Sequence, residues 1–205
     1  MKPLVLLPGM NGKPRLYNWI RPAFPELLTP EWIAPLEGET LVGYAGRVAK
    51  MLRPIGPLTL GGTSFGGMVA REVAGALGLE SCVLISTVRD PSELTPPPTN
   101  RHAHNDFEAW AISAIRGWEL SPEAARVRTY QLHGDRDQTF PIERVRPDLV
   151  IAGGGHVLPA THPDEVIAFL RLAQREAGKD EEEDGSACHD EQPRRADALE
   201  VEQES

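Results

Sequence analysis

The sequence predicts a three-layer α/β/α domain on a mostly parallel six-stranded sheet. Three observations lead there. Short apolar runs alternate with amphipathic stretches of helical length through residues 3–175, the pattern of repeated β-α units. The first run, "PLVLLPG" at 3–9, is apolar without alternation, as befits a strand buried on both faces. "LTLGGTSFGGMVARE" at 58–72 passes from an apolar run through four glycines into an amphipathic helix, with one serine among the glycines.

Each element follows from local chemistry. Residues 16–24, "LYNWIRPAF", read as a short helix or turn region, and "EWIAPLEG" at 31–38 as a short strand. Thr40 can cap a helix over 41–53, where Leu41, Tyr44, Val48, Met51 and Leu52 fall roughly on one face. "GPLTLGG" (56–62) is a strand after a Pro-Gly turn, and 66–78 a helix closing near Gly78. "SCVLISTV" (81–88), "YQLHG" (130–134) and "DLVIAGG" (148–154) are further strands. Residues 163–177 form the last helix, with Pro163 suited to its first turn. The expected spatial order of the strands is 2-1-3-4-5-6. The segment 90–128 interrupts the alternation: a Pro-rich connector, a helix at 105–118 and a short helix after Ser121-Pro122. It reads as a small helical cap. The stripe of Phe107, Trp110, Ala111, Ala114, Ile115 and Trp118 either lines a pocket or packs onto the sheet.

Charge divides the chain. Residues 176–205 carry 12 Asp/Glu against 3 Lys/Arg, which accounts for the whole net charge of −9. Without aromatics and with few large aliphatics, this segment is expected to be a disordered acidic tail. The body, 1–175, is neutral, which argues against a nucleic-acid partner. No apolar run reaches the ~18 residues a membrane span needs. The N-terminal run is too short for a signal peptide, so a cytoplasmic location is expected. Cys82, in an apolar run, reads as a small core residue, and Cys188 falls in the tail.

Gly62-Thr63-Ser64-Phe65-Gly66 has the form G-x-S-x-G between a strand and a helix. A turn that sharp forces the serine into an unusual backbone conformation with its hydroxyl exposed, and crowding requires glycine on both sides. The helix N-terminus favours an anion developing there. A serine nucleophile needs a base, and the base an orienting acid. Downstream lie "LHGDRDQTFP" (132–141) and "AGGGHVLPATHP" (152–163), each at the end of an expected strand.

In this order, "GTSFGG", "LHGDRDQTFP" and "GGGH" resemble the α/β-hydrolase superfamily, over about residues 3–175. The resemblance implies a minimal version of that fold with a short cap. It maps the family's H-G-x-x-D…P pattern onto His133, Gly134, Asp137 and Pro141, which implies Asp137 as the acid and His156 as the base for Ser64. The loop "LLPGMNG" (6–12) is similar to the family's oxyanion loop, implying backbone N–H donors at Met10 and Phe65. The family's two leading strands are absent, and only 19 positions separate Asp137 from His156, leaving room for a brief helix at about 141–147. No metal or organic cofactor is implied. Asp135 is a rival acid and His162 a rival base. His102 and His104 read as exposed loop histidines, and His133 as a residue beneath the acid.

The activity expected is cleavage of small carboxylic esters through an acyl-enzyme on Ser64. Acyl transfer or thioester hydrolysis would use the same residues, and a non-catalytic small-molecule binder on the same fold is the contrasting reading. Trp110 and Trp118 are the expected pocket residues. The expected partner is a small acyl substrate. The sequence does not fix the oligomeric state.

Overall fold

The computed structural model describes residues 2–94 and 103–186, with side chains described through residue 176. Five strands, β1 (Leu4–Leu7), β2 (Thr59–Thr63), β3 (Ser81–Ile85), β4 (Arg128–Gly134) and β5 (Leu149–Ile151), form one sheet in sequence order. All four pairings are parallel. Alternate residues of each strand feed two cores. Val5, Leu7, Leu60, Cys82 and Leu84 face helices α1 (Leu41–Leu52) and α2 (Phe65–Leu77). Leu4, Leu6, Val83, Ile85, Leu132 and Ile151 face the last helix and the turns after β1. This is the three-layer arrangement that the β-α alternation predicts.

The sixth strand did not form. Residues 31–38 run without strand pairing. Pro30 and Pro35 lack N–H donors, and the carbonyls between them serve side chains. Ile33 accepts from the Tyr44 hydroxyl at 2.9 Å and Ala34 from the Arg47 guanidinium. The position beside β1 is held instead by a single bridge at Leu28, which exchanges backbone hydrogen bonds with Leu4 and Leu6. β1 therefore lies between that bridge and β2, where the direction of strand order reverses.

The helices keep close to their sequence signals. The Thr40 side chain accepts from the Gly43 N–H at the start of α1, and Gly78 closes α2 in the left-handed conformation. Met51 departs from the expected buried face of α1 and is 41 % exposed. The cap consists of α3 (Asp106–Arg116), capped by Asn105, and α4 (Pro122–Arg126), capped by Ser121. Most of the Pro-rich connector, including His102, lies outside the described residues. A 3-10 turn at Ile142–Arg144 takes the place of the brief helix before β5. A short helix, α5 (Leu158–Thr161), precedes α6 (Pro163–Ser186). Helix α6 runs to Ser186, past the expected end at 177 and into the segment expected to be disordered. Glu and Lys are good helix formers, and a helix nucleated by packing at Val166, Phe169 and Leu170 extends at small cost. The rest of the acidic tail, Cys188 included, lies outside the described residues.

Candidate active site

The turn between β2 and α2 places Ser64 at φ 57° and ψ −127°, a left-handed conformation outside the region side chains favour. Such a residue costs on the order of 1–3 kcal/mol unless its surroundings fix it. Here they do. The Ser64 N–H donates to the Ile85 carbonyl at 3.0 Å, and its own carbonyl accepts from Gly67 N–H and from the Thr87 hydroxyl at 2.7 Å. The flanking glycines follow from crowding. A Cβ on Gly62 would sit 2.3 Å from the Gly66 carbonyl oxygen, and one on Gly66 would sit 2.3 Å from the carbonyl oxygens of Leu7 and Pro8.

The loops after β4 and β5 carry Asp137 and His156, the acid and base expected from sequence. Asp137 and His156 meet because those loops are tied to each other. Asp135 accepts from Gly153 N–H at 2.7 Å, and the Arg136 N–H donates to the Gly154 carbonyl at 2.8 Å. Asp135, the rival acid, is thus spent in joining the loops. The His156 Nδ1–H donates to Asp137 Oδ2 at 2.8 Å, and the Ser64 hydroxyl donates to His156 Nε2 at 2.9 Å. A carboxylate only accepts, so it assigns the imidazole proton to Nδ1 and leaves Nε2 as acceptor. The rival base His162 contacts Thr161 instead.

Asp137 is fully buried at its side chain, whereas His156 remains 26 % exposed. Burial alone would raise the Asp137 carboxyl. The His156 hydrogen bond and charge, with the N–H groups of Phe140 and Thr139 on Oδ1, outweigh it and hold Asp137 below its ordinary range. His133 lies beneath, as expected, fully buried. Its Nε2–H donates to the Phe140 carbonyl at 2.8 Å and lies 3.4 Å from Asp137 Oδ2. Burial dominates there and lowers the His133 pKa, against the Phe140 carbonyl and the Asp137 charge, so the ring is neutral.

A cavity of about 560 Å³ opens over Ser64. Gly9, Met10 and Thr63 line it beside Ser64; Asn11, Lys13, Arg15 and Leu16 form one wall. His104, Glu108 and Ile112 of the cap form the other, next to His156 and Val157. Trp110 and Trp118 are not in these walls, which corrects the pocket expected from sequence. Trp110 donates to the Glu39 carbonyl and packs on Tyr44 with ring centroids 4.5 Å apart. Trp118 is buried, with its indole N–H on Glu72 at 2.7 Å. The aromatic stripe of α3 packs onto the body, and the face bearing Glu108 and Ile112 turns to the cavity. His104 also reaches the cavity wall, although its loop position reads as plain surface.

Tyr17 is the residue the sequence reading missed. Its buried hydroxyl lies 2.7 Å from the Leu7 carbonyl and 2.9 Å from Thr63 Oγ1, joining the ends of β1 and β2 directly behind the serine. Burial raises its pKa, so the phenol stays protonated. A lone Tyr in a turn region gives no sequence signal for this. The Cys82 thiol sits in the core as expected, pushed up to about 12 by burial. Among the described residues no cluster of three or more His, Cys, Asp or Glu could hold a metal ion, and no helix is long and apolar enough to cross a membrane.

No family model matches the chain, and no curated protein matches it by sequence. Solved structures do match. An α/β hydrolase from the sediment metagenome of the Mar Chica lagoon, Morocco, aligns with a TM-score of 0.63 at 20 % identity, over 85 % of this chain and 91 % of that one. A thermophilic esterase from Thermogutta terrifontis aligns at 0.56 and 19 % identity, over 86 % and 90 %. The NocB thioesterase domain, solved as a covalent complex with a fluorophosphonate nocardicin G analogue, aligns at 0.58 and 18 % identity, over 85 % and 95 %. The fold is that of the α/β hydrolases, in a five-stranded form with a short helical cap.

Proposed function

We propose that this chain is a serine hydrolase that cleaves small carboxylic esters through an acyl-enzyme on Ser64. One observation carries the reading: Ser64 Oγ, His156 and the buried Asp137 are linked by hydrogen bonds of 2.9 and 2.8 Å, with Ser64 and His156 lining an open cavity. In this mechanism His156 Nε2 takes the hydroxyl proton as Ser64 Oγ attacks the acyl carbon. Asp137 stabilises the resulting imidazolium, and His156 returns the proton to the leaving alcohol. Water then releases the acid by the same route in reverse.

Two backbone N–H groups are assigned to the oxyanion. Phe65 opens α2, so its N–H has no acceptor within the helix. The Gly9 carbonyl accepts from Gly12 N–H and from Trp32 Nε1 at 3.0 Å. In a trans peptide the N–H points opposite to the carbonyl, so the Met10 N–H faces away from those donors. Each such donor contributes roughly 3 kcal/mol of barrier lowering.

A variant of this reading, in which the substrate is a thioester, would use the same residues. The test is labelling with a fluorophosphonate probe, followed by a rate panel of 4-nitrophenyl esters, acyl thioesters and amides. Ser64→Ala is expected to keep its fold and to lose both labelling and turnover. Ester hydrolysis at the native rate in purified Ser64→Ala would remove Ser64 from the mechanism.

A further inference from the structure

One wall of the cavity carries two cations, Lys13 and Arg15. Lys13 and Arg15 are both exposed, and neither enters an ion pair among the described residues. Elsewhere Arg47 pairs with Glu39 and Arg89 with Asp148, each at 2.9 Å. The backbone carrying Lys13 and Arg15 is held in place. The Asn11 side chain accepts from Lys13 N–H at 3.2 Å, and Pro14 opens the 3-10 turn Pro14–Tyr17 between the two cations. That turn is anchored by the buried Tyr17 hydroxyl on Leu7 and Thr63. The elements that build the serine turn therefore also hold both cations at its cavity.

One anion faces them from the cap. Glu108 Oε2 accepts from His104 N–H at 2.9 Å at the start of α3, where the helix N-terminus offsets its charge. The remaining surroundings, Asn11, Leu16, Ile112 and Val157, are neutral. We propose that the acyl substrate carries an anionic group, a carboxylate or a phosphate, which Lys13 and Arg15 bind while its carbonyl lies over Ser64. This rests on the serine-hydrolase reading of the same cavity.

Exposed ion pairs are weak and screened by salt. Each cation is therefore expected to contribute about two- to fivefold in selectivity, and the pair about tenfold. The experiment compares kcat/KM within matched pairs. 4-Nitrophenyl hydrogen glutarate is set against its methyl ester, with the carboxylate on the acyl side. 4-(Butanoyloxy)benzoate is set against its methyl ester, with the carboxylate on the leaving group. 4-(Butanoyloxy)phenyl phosphate is set against its dimethyl ester to test phosphate.

At least one anionic member should exceed its neutral partner about tenfold at low salt. That preference should shrink in 0.5 M NaCl and fall about tenfold in the doubly substituted Lys13→Gln, Arg15→Gln protein. Lys50→Gln removes one positive charge at an exposed position of α1, away from the cavity lining, and should keep the preference. No preference in the native protein, or one that survives the double substitution, overturns the proposal. If no ester is turned over and Ser64 is not labelled, the hydrolase reading fails by itself. Calorimetry with monomethyl glutarate and phenyl phosphate then decides the rim. Binding lost in the double variant supports it; binding absent or unchanged overturns it.

Discussion

Asp137→Asn changes one atom of the site and should nearly abolish turnover. Asp137 Oδ1 accepts from the N–H groups of Thr139 and Phe140 at 2.8 and 3.0 Å. In the variant, those two donors hold the amide oxygen at that position, since an NH2 there would face two donors. The amide NH2 is then directed at His156 Nδ1, 2.8 Å from where Oδ2 lay. Nδ1 must become the acceptor, and the ring proton moves to Nε2, which faces Ser64 Oγ at 2.9 Å. A protonated Nε2 cannot take the hydroxyl proton. In the serine proteases that define this arrangement, such a tautomer error costs about 10⁴ in kcat, and the same order is expected here. The fold should survive, because the substitution is isosteric and both Oδ1 hydrogen bonds remain. Asp135→Asn keeps an oxygen for Gly153 N–H and should lose no more than a few-fold. The assay is steady-state hydrolysis of a short 4-nitrophenyl ester by both variants, with melting temperature as control. An Asp137→Asn enzyme retaining more than about a tenth of native kcat, or a larger loss in Asp135→Asn, would refute the tautomer argument.

Gly66→Ala places a Cβ 2.3 Å from two backbone carbonyl oxygens that cannot rotate away. Overpacking of that kind costs about 3 kcal/mol, about 6–12 °C of melting temperature for a chain this long; a drop under 2 °C would contradict the crowding described. His133 has its pKa lowered by burial, so the unfolded chain binds its proton first. Stability from this group is complete above its ordinary value of about 6.5 and declines as pH falls toward its folded value. Urea midpoints should therefore slope downward below pH 6.5, and His133→Gln should flatten that part of the slope; an unchanged slope counts against it. Asp137, held below its ordinary carboxyl value, adds stability present above about pH 4 and lost under more acid conditions. On 4-nitrophenyl esters, kcat/KM should peak at short acyl chains. Each buried methylene contributes about 0.8 kcal/mol only while shielded, and the open cavity of about 560 Å³ shields few. A rise continuing to long chains would reveal a tunnel.

Much of the site was legible because its residues answer to backbone constraints that leave marks in sequence. Glycines around Ser64, Gly134 of the His-Gly-x-x-Asp run, and Gly153 and Gly154 before His156 are each demanded by close approach or sharp turning. Strands β1 and β3 were legible for a similar reason: burial on two faces favours unbroken apolar runs, LVLL and CVLI. The sheet's sixth position was not, because prolines 30 and 35 and the hydrogen-bonding of Ile33 and Ala34 to side chains decide it. Trp110 and Trp118 misled because an aromatic stripe says only that a face is buried. Which surface buries it depended on Tyr44, Glu39 and Glu72, contacts remote in sequence. Tyr17 and the Lys13–Arg15 rim depend likewise on how the turn after β1 folds back over the strand ends.

The cross-links between the loops after β4 and β5 have a kinetic consequence. Asp137 and His156 ride on segments joined by Asp135–Gly153 and Arg136–Gly154 contacts, beside an edge strand of three residues, Leu149–Ile151. Ser64 sits between β2 and α2 in the middle of the molecule, gripped by Ile85 and Thr87. A short edge strand is among the first parts of a sheet to open. Fraying there displaces Asp137 and His156 in one event while Ser64 keeps its place. On the proposed mechanism, gentle warming is expected to lower activity reversibly at temperatures where the central sheet is still intact.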